Sequence, residues 1–130
     1  MTENEISREI VDAAYRVHVA LGPGLLESVY EAVLAYELNR RGLRFSAQQM
    51  IPIIYDGVDV GAGFRADLIV EDKVIIEIKS VEQLAPVHKK QLLTYLRLTD
   101  KRLGLLLNFD VVLMKQGITR VVNGLNEAPA

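Results

Sequence analysis

Apolar residues recur at helical spacing from the start of the chain. Ile6, Ile10, Ala13, Ala14, Val17 and Leu21 predict an amphipathic helix over roughly residues 4–20. Gly22-Pro23-Gly24 breaks it. Leu26, Val29, Val33, Leu34 and Leu38 then mark the apolar side of a second helix, from about Leu25 to Arg41. Gly42 follows where a helix commonly ends on a left-handed residue. The period then changes. Leu43 to Gln49, Ile51 to Tyr55, Val58 to Val70 and Val74 to Ser80 read as strands, punctuated by Asp56-Gly57 and Glu71-Asp72-Lys73. Pro52 lacks a backbone donor, which places its strand at a sheet edge. Helical spacing returns at Pro86, a residue suited to a helix start, and lasts to about Thr99. Leu103 to Phe109 is an unbroken apolar run of the kind that forms a buried strand. Gly117 to Val122 predicts a last, partly exposed strand. The order α-α-β-β-β-β-α-β-β indicates an α/β fold with helices packed on a mixed sheet.

A length of 130 residues fits one domain, taken as residues 1–125, with a short polar tail over 126–130 expected to be flexible. Half of the residues are hydrophobic and a quarter charged, as in globular rather than disordered chains. There is no cysteine, so disulfides, thiolate metal sites and cysteine nucleophiles are excluded. The first residues are polar and acidic, without the pattern of a signal peptide, and no apolar run approaches the roughly 20 residues that span a bilayer. The expected compartment is the cytoplasm, with no membrane partner. A net charge of -2 does not by itself decide whether nucleic acid is bound. The basic clusters, such as Arg40, Arg41 and Arg44 or Lys89 and Lys90, read better as solvated helix faces and ends than as a nucleic-acid surface.

Candidate chemistry enters with the segments around Glu71-Asp72-Lys73. With those three residues as the loop, Val70 faces Val74, and counting back along both arms sets Asp67 directly across from Glu77. Opposed side chains in an antiparallel pair lie about 4.5–5.5 Å apart at Cβ, and like charges there are unfavourable. A shared divalent cation resolves the conflict, since hard oxygen ligands suit Mg²⁺ or Mn²⁺. Lys79 follows Glu77 by two residues and so shares its face. Its ammonium is placed to orient a water nucleophile or offset charge developing at phosphorus. A surface Glu-Lys pair is the plain alternative, but Glu77 and Lys79 sit among Val74, Ile75, Ile76 and Ile78, and burial makes unpaired charge costly.

Asp67 followed by Glu77-Ile78-Lys79 resembles the signature of the PD-(D/E)XK nuclease superfamily. Within it the chain is similar to the GxxExxY family, through Gly24-Leu25-Leu26-Glu27-Ser28-Val29-Tyr30. Further matching stretches are His18 with Leu21-Gly22-Pro23-Gly24, Arg65-Ala66-Asp67, Gln91 to Leu96 and Gly104 to Phe109. Ala66 stands where the superfamily's name has proline. The resemblance spans about Ile6 to Val122. It implies a restriction-endonuclease-like fold and a Mg²⁺ (or Mn²⁺) ion held by Asp67, Glu77 and the Ile78 carbonyl. It also implies Lys79 as the catalytic cation, Glu27 completing the acidic cluster, and Gln91 and Tyr95 abutting the site as a helical Gln-x-x-x-Tyr element.

Taken alone, several of these residues have plainer roles. Glu27, Tyr30 and Glu31 share one helix stripe, and Glu27 lies in the first turn, where a carboxylate is favoured. Gln91 and Tyr95 share a stripe with His88 that suits a polar helix edge on the sheet. His18 reads as a satisfied helix histidine rather than a ligand. The leading expectation is metal-dependent hydrolysis of phosphodiester bonds in DNA, with RNA as the lesser possibility. The alternative is a non-catalytic nucleic-acid-binding or assembly module on the same fold. A nucleotide hydrolase ranks last, because no P-loop is present. Cutting both strands of a duplex is often the work of a dimer, so a homodimer is a further expectation.

Overall fold

Thr2 starts the first helix with a reciprocal cap: the Glu5 amide donates to Thr2 Oγ1 at 3.2 Å, and the Thr2 amide to Glu5 Oε1 at 2.8 Å. The structure, a computed structural model, describes residues 1–125, and the expected tail over 126–130 lies outside the described residues. Helix α1 (Glu3–Leu21) buries Ile6, Ile10, Ala13, Ala14 and Val17, while Leu21 stays at the edge. Helix α2 (Glu27–Arg40) buries Tyr30, Leu34 and Leu38 at i, i+4 and i+8. Its buried stripe is therefore narrower than expected: Leu26 and Val29 are exposed, and Tyr30 supplies the apolar bulk instead. Gly42 ends the helix with φ 75°, its amide bonding Asn39 O while the Leu43 amide bonds Leu38 O.

Strands β1 (Phe45–Tyr55), β2 (Val58–Val70), β3 (Val74–Lys79), β4 (Leu103–Asn108) and β5 (Ile118–Val122) form one five-stranded mixed sheet in sequence order. The expected strands Leu43–Gln49 and Ile51–Tyr55 run together as the single strand β1, in which Gln48 has a left-handed φ of 54° and the register with β2 shifts around Pro52. As Pro52 requires, β1 is an edge. Asp56 and Gly57, both at positive φ, form a tight two-residue turn between Tyr55 and Val58. Only β3 and β4 are parallel, and helix α3 (Pro86–Thr99) makes the crossover between them.

The fold is thus restriction-endonuclease-like α/β, in three layers. Leu68, Val70, Val74, Ile76 and Ile78 pack with Leu103, Leu105 and Leu107 against α1 and α2. On the other face Ile69, Ile75 and Leu106 pack against Leu92 and Leu96 of α3. Gly104 allows α3 to lie close, since a Cβ there would sit 2.8 Å from Leu92 Cγ. Alternation in β3 therefore sends Glu77 and Lys79, with Ile75, toward α3. Among the described residues no helix is long and apolar enough to cross a membrane.

Candidate active site

The β2–β3 hairpin folds in the expected register: Val70 pairs with Val74, Ile69 with Ile75 and Leu68 with Ile76. Continued by one residue, that register carries Asp67 opposite Glu77, where the regular pairing has ended. A side chain takes over from the backbone there, and the Ile78 amide donates to Asp67 Oδ2 at 2.8 Å. Beyond this point β2 leaves β3 and continues beside β1 alone as a two-stranded ribbon. The opening is a cleft of about 290 Å³, lined by Glu27, Arg65, Asp67, Glu77, Lys79, His88, Gln91 and Tyr95 with Leu92 and Leu106. All six side chains marked in the sequence as catalytic candidates, Asp67, Glu77, Lys79, Glu27, Gln91 and Tyr95, meet in this one cleft.

Glu77 dominates its electrostatics. The residue is 9% exposed, and its Oε1 is buried with no hydrogen-bond partner. Burial pushes its pKa up to about 9, assisted by the charge of Asp67 and a hydrogen-bonding contact with it, and opposed by Lys79. Tyr95 is raised as well, by burial first and then by the charges of Glu77 and Asp67. Its ring stacks on Phe64 at 3.8 Å between centroids, which ties the ribbon to α3.

Two opposed carboxyl groups, one with a buried unsatisfied oxygen, fit a hard divalent cation. Among the described residues no group of three or more His, Cys, Asp or Glu side chains is gathered to hold a metal. Mg²⁺ keeps several waters and commonly takes only one or two protein carboxylates, so the pair suffices. Glu27 reaches the cleft from the start of α2, but its Oε2 accepts the Ser80 amide at 3.2 Å instead of capping its own helix. The same turn is held by Ser80 Oγ, which donates to Leu25 O at 2.6 Å.

Lys79 rests on a fixed backbone. The Phe109 amide donates to Lys79 O at 3.0 Å, and the buried Asn108 amide group bonds both Val81 N and Val81 O. Asn108 lies in the matching stretch Gly104 to Phe109 but carried no marked role. Glu31 and Gln48 were also missed: Gln48 Nε2 donates to Glu31 Oε1 and, at 3.3 Å, to Asp67 Oδ1. Glu31, four residues after Glu27, was visible on the same stripe but carried no marked role. Burial raises its pKa, with Gln48 opposing that and Asp67 adding to it.

The remaining motif residues build the fold. His18 Nε2 bonds Val111 O at 2.8 Å, a satisfied helix histidine outside the cleft. Tyr30 stacks on Phe109 with 4.5 Å between centroids, donates its hydroxyl to Gly22 O at 2.6 Å and accepts the Leu25 amide at 3.1 Å. This closes the α1–α2 turn through Gly24, whose φ of 94° suits glycine. Tyr30→Phe should keep the stack and orphan both turn groups, lowering stability by about 1–3 kcal/mol in urea unfolding.

Residues 4–121 match the family model of the PD-(D/E)XK nuclease superfamily. The chain belongs to that superfamily. Asp67, Glu77 and Lys79 lie within the matched residues and line the cleft where β2 and β3 part. The crystal structure of a protein designated SSO0001 is similar, with 25% identity and a TM-score of 0.52. The similarity covers 78% of this chain and 52% of that one, so the chain spans about half the length of that protein. No curated protein matches the chain.

Proposed function

We propose that this PD-(D/E)XK protein is a metal-dependent nuclease of the GxxExxY type, hydrolysing phosphodiester bonds in DNA. The observation that carries the reading is the buried, unpartnered Glu77 Oε1 opposite Asp67, in a cleft shared with Lys79. Asp67, Glu77 and the Ile78 carbonyl are the proposed holders of Mg²⁺ or Mn²⁺, with Glu27 joining directly or through water. A cation bound there supplies Lewis-acid chemistry to a phosphodiester. Lys79 orients the attacking water and offsets charge growing on the phosphate oxygens. Gln91 and Tyr95 bound the cleft on the α3 side, Tyr95 held in place by its stack on Phe64. Arg65 from β2 and His88 from α3, both lining the cleft, offer donors to the phosphate backbone.

Purified protein should cut single- or double-stranded DNA when given Mg²⁺ or Mn²⁺, and chelation should stop it. Four intact substrates, single- and double-stranded DNA and RNA, after incubation with either metal would overturn the proposal. The non-catalytic binding module would be left as the reading of the fold.

A further inference from the structure

On the reading that Asp67 and Glu77 hold a hard divalent cation, the geometry points to Gln48 as a positioning residue that fixes the Asp67 carboxylate for that cation. Three independent observations converge on this side chain. The first is register. Ala47 pairs with Leu68 and Gln49 with Ala66, so Gln48 stands directly opposite Asp67 on the strand next to it. The second is bonding. The Gln48 amide donates to Asp67 Oδ1 at 3.3 Å and to Glu31 Oε1, linking the edge strand, β2 and α2. The third is backbone conformation. Gln48 holds φ 54° inside a strand, a left-handed conformation that an L side chain adopts only at a cost and that clusters at functional sites.

Together these hold Asp67 from two sides. Its Oδ2 takes the Ile78 amide from β3, and its Oδ1 takes the Gln48 amide from β1. A carboxylate gripped by one donor swivels about that bond; two donors on opposite oxygens fix its plane and leave the remaining lone pairs for Glu77 and the cleft. The choice of an amide follows from the same chemistry. Lysine or arginine at this position would orient the carboxylates equally well, but would neutralise them and compete with a cation. Glutamine donates without adding charge. Hydrogen-bond partners of metal-holding groups typically contribute 10- to 100-fold in metal affinity.

The test is Mn²⁺ binding to the metal-free full chain, followed by electron paramagnetic resonance, for wild type, Gln48→Ala and Gln48→Gly. Alanine keeps the left-handed Cβ and removes the amide; glycine removes both. Each variant should bind Mn²⁺ about 10-fold more weakly, with an unfolding midpoint no lower than that of wild type. Wild-type affinity in either variant overturns the assignment, as does a loss confined to glycine, which would point to the backbone conformation alone. A lowered midpoint accompanying the loss makes Gln48 a fold residue and also overturns it. A wild-type chain that binds no Mn²⁺ removes the cation reading itself, and does so before any variant is compared.

Discussion

Lys79→Ala should cleave DNA at least about 10²-fold more slowly than wild type, while folding normally and still binding Mn²⁺. The expectation rests on where Lys79 sits. It follows Glu77 by two residues on the α3-facing side of β3, and both line the cleft. Its backbone is held by the Phe109 amide, and the turn after it by Asn108 and Glu27, so truncating the side chain leaves the strand in place. The ammonium opposes the upward shift of Glu77, so the two side chains are close enough to interact. Removing it therefore leaves cation affinity unchanged or stronger, and cleavage falls for a reason separate from metal loss. Single-turnover cleavage and Mn²⁺ titration on the same preparation separate the two. Equal cleavage by wild type and Lys79→Ala would remove the lysine from the chemistry.

Much of this site was legible because its central pieces are close in sequence. Three loop residues separate Val70 from Val74, so alternation alone carried Asp67 to Glu77 and put Lys79 beside them. The contribution of the helices was not legible in that way. Glu27 lies at the start of α2 and Gln91 and Tyr95 lie on α3, and spacing within a helix says nothing about which end of the sheet it covers. Resemblance to a family supplied that placement.

Gln48 escaped both routes. A glutamine with positive φ has no local signature, unlike Gly42 or the Asp56-Gly57 turn, where residue type announces the conformation. The expected break at Met50 is also absent, since Met50 pairs with Arg65 in the same register as Gln49 with Ala66. On α2 the misjudged face has a simpler cause: the apolar pattern favoured Leu26 and Val29, but Tyr30 fills the space between α2 and Phe109 and satisfies its hydroxyl on the turn. Tertiary packing selected the aromatic with a polar tip over two aliphatic neighbours.

Glu77→Gln should make the metal-free protein more stable near neutral pH while abolishing Mn²⁺ binding and cleavage. The folded protein holds the Glu77 proton up to a pKa of about 9, whereas the ordinary value is 4.5. Between those limits the native state binds more protons than the unfolded chain, so this residue's contribution is fully present below pH 4.5 and is lost as pH rises toward 9. One pKa unit corresponds to about 1.4 kcal/mol, which makes the loss about 3 kcal/mol by pH 7 as an upper estimate. Glutamine carries no titrating group, and its NH₂ donates to Asp67 as the protonated acid does. Glu5 and Glu71, whose pKa values are lowered, titrate alike in both proteins and cancel in the comparison. The gap between the two urea-unfolding curves should therefore widen from pH 5 to pH 8. Saturating Mn²⁺ should reverse the order, because a ligand stabilises only the chain that binds it. A gap independent of pH would mean that Glu77 is ionised in the folded metal-free protein and that another group relieves its burial.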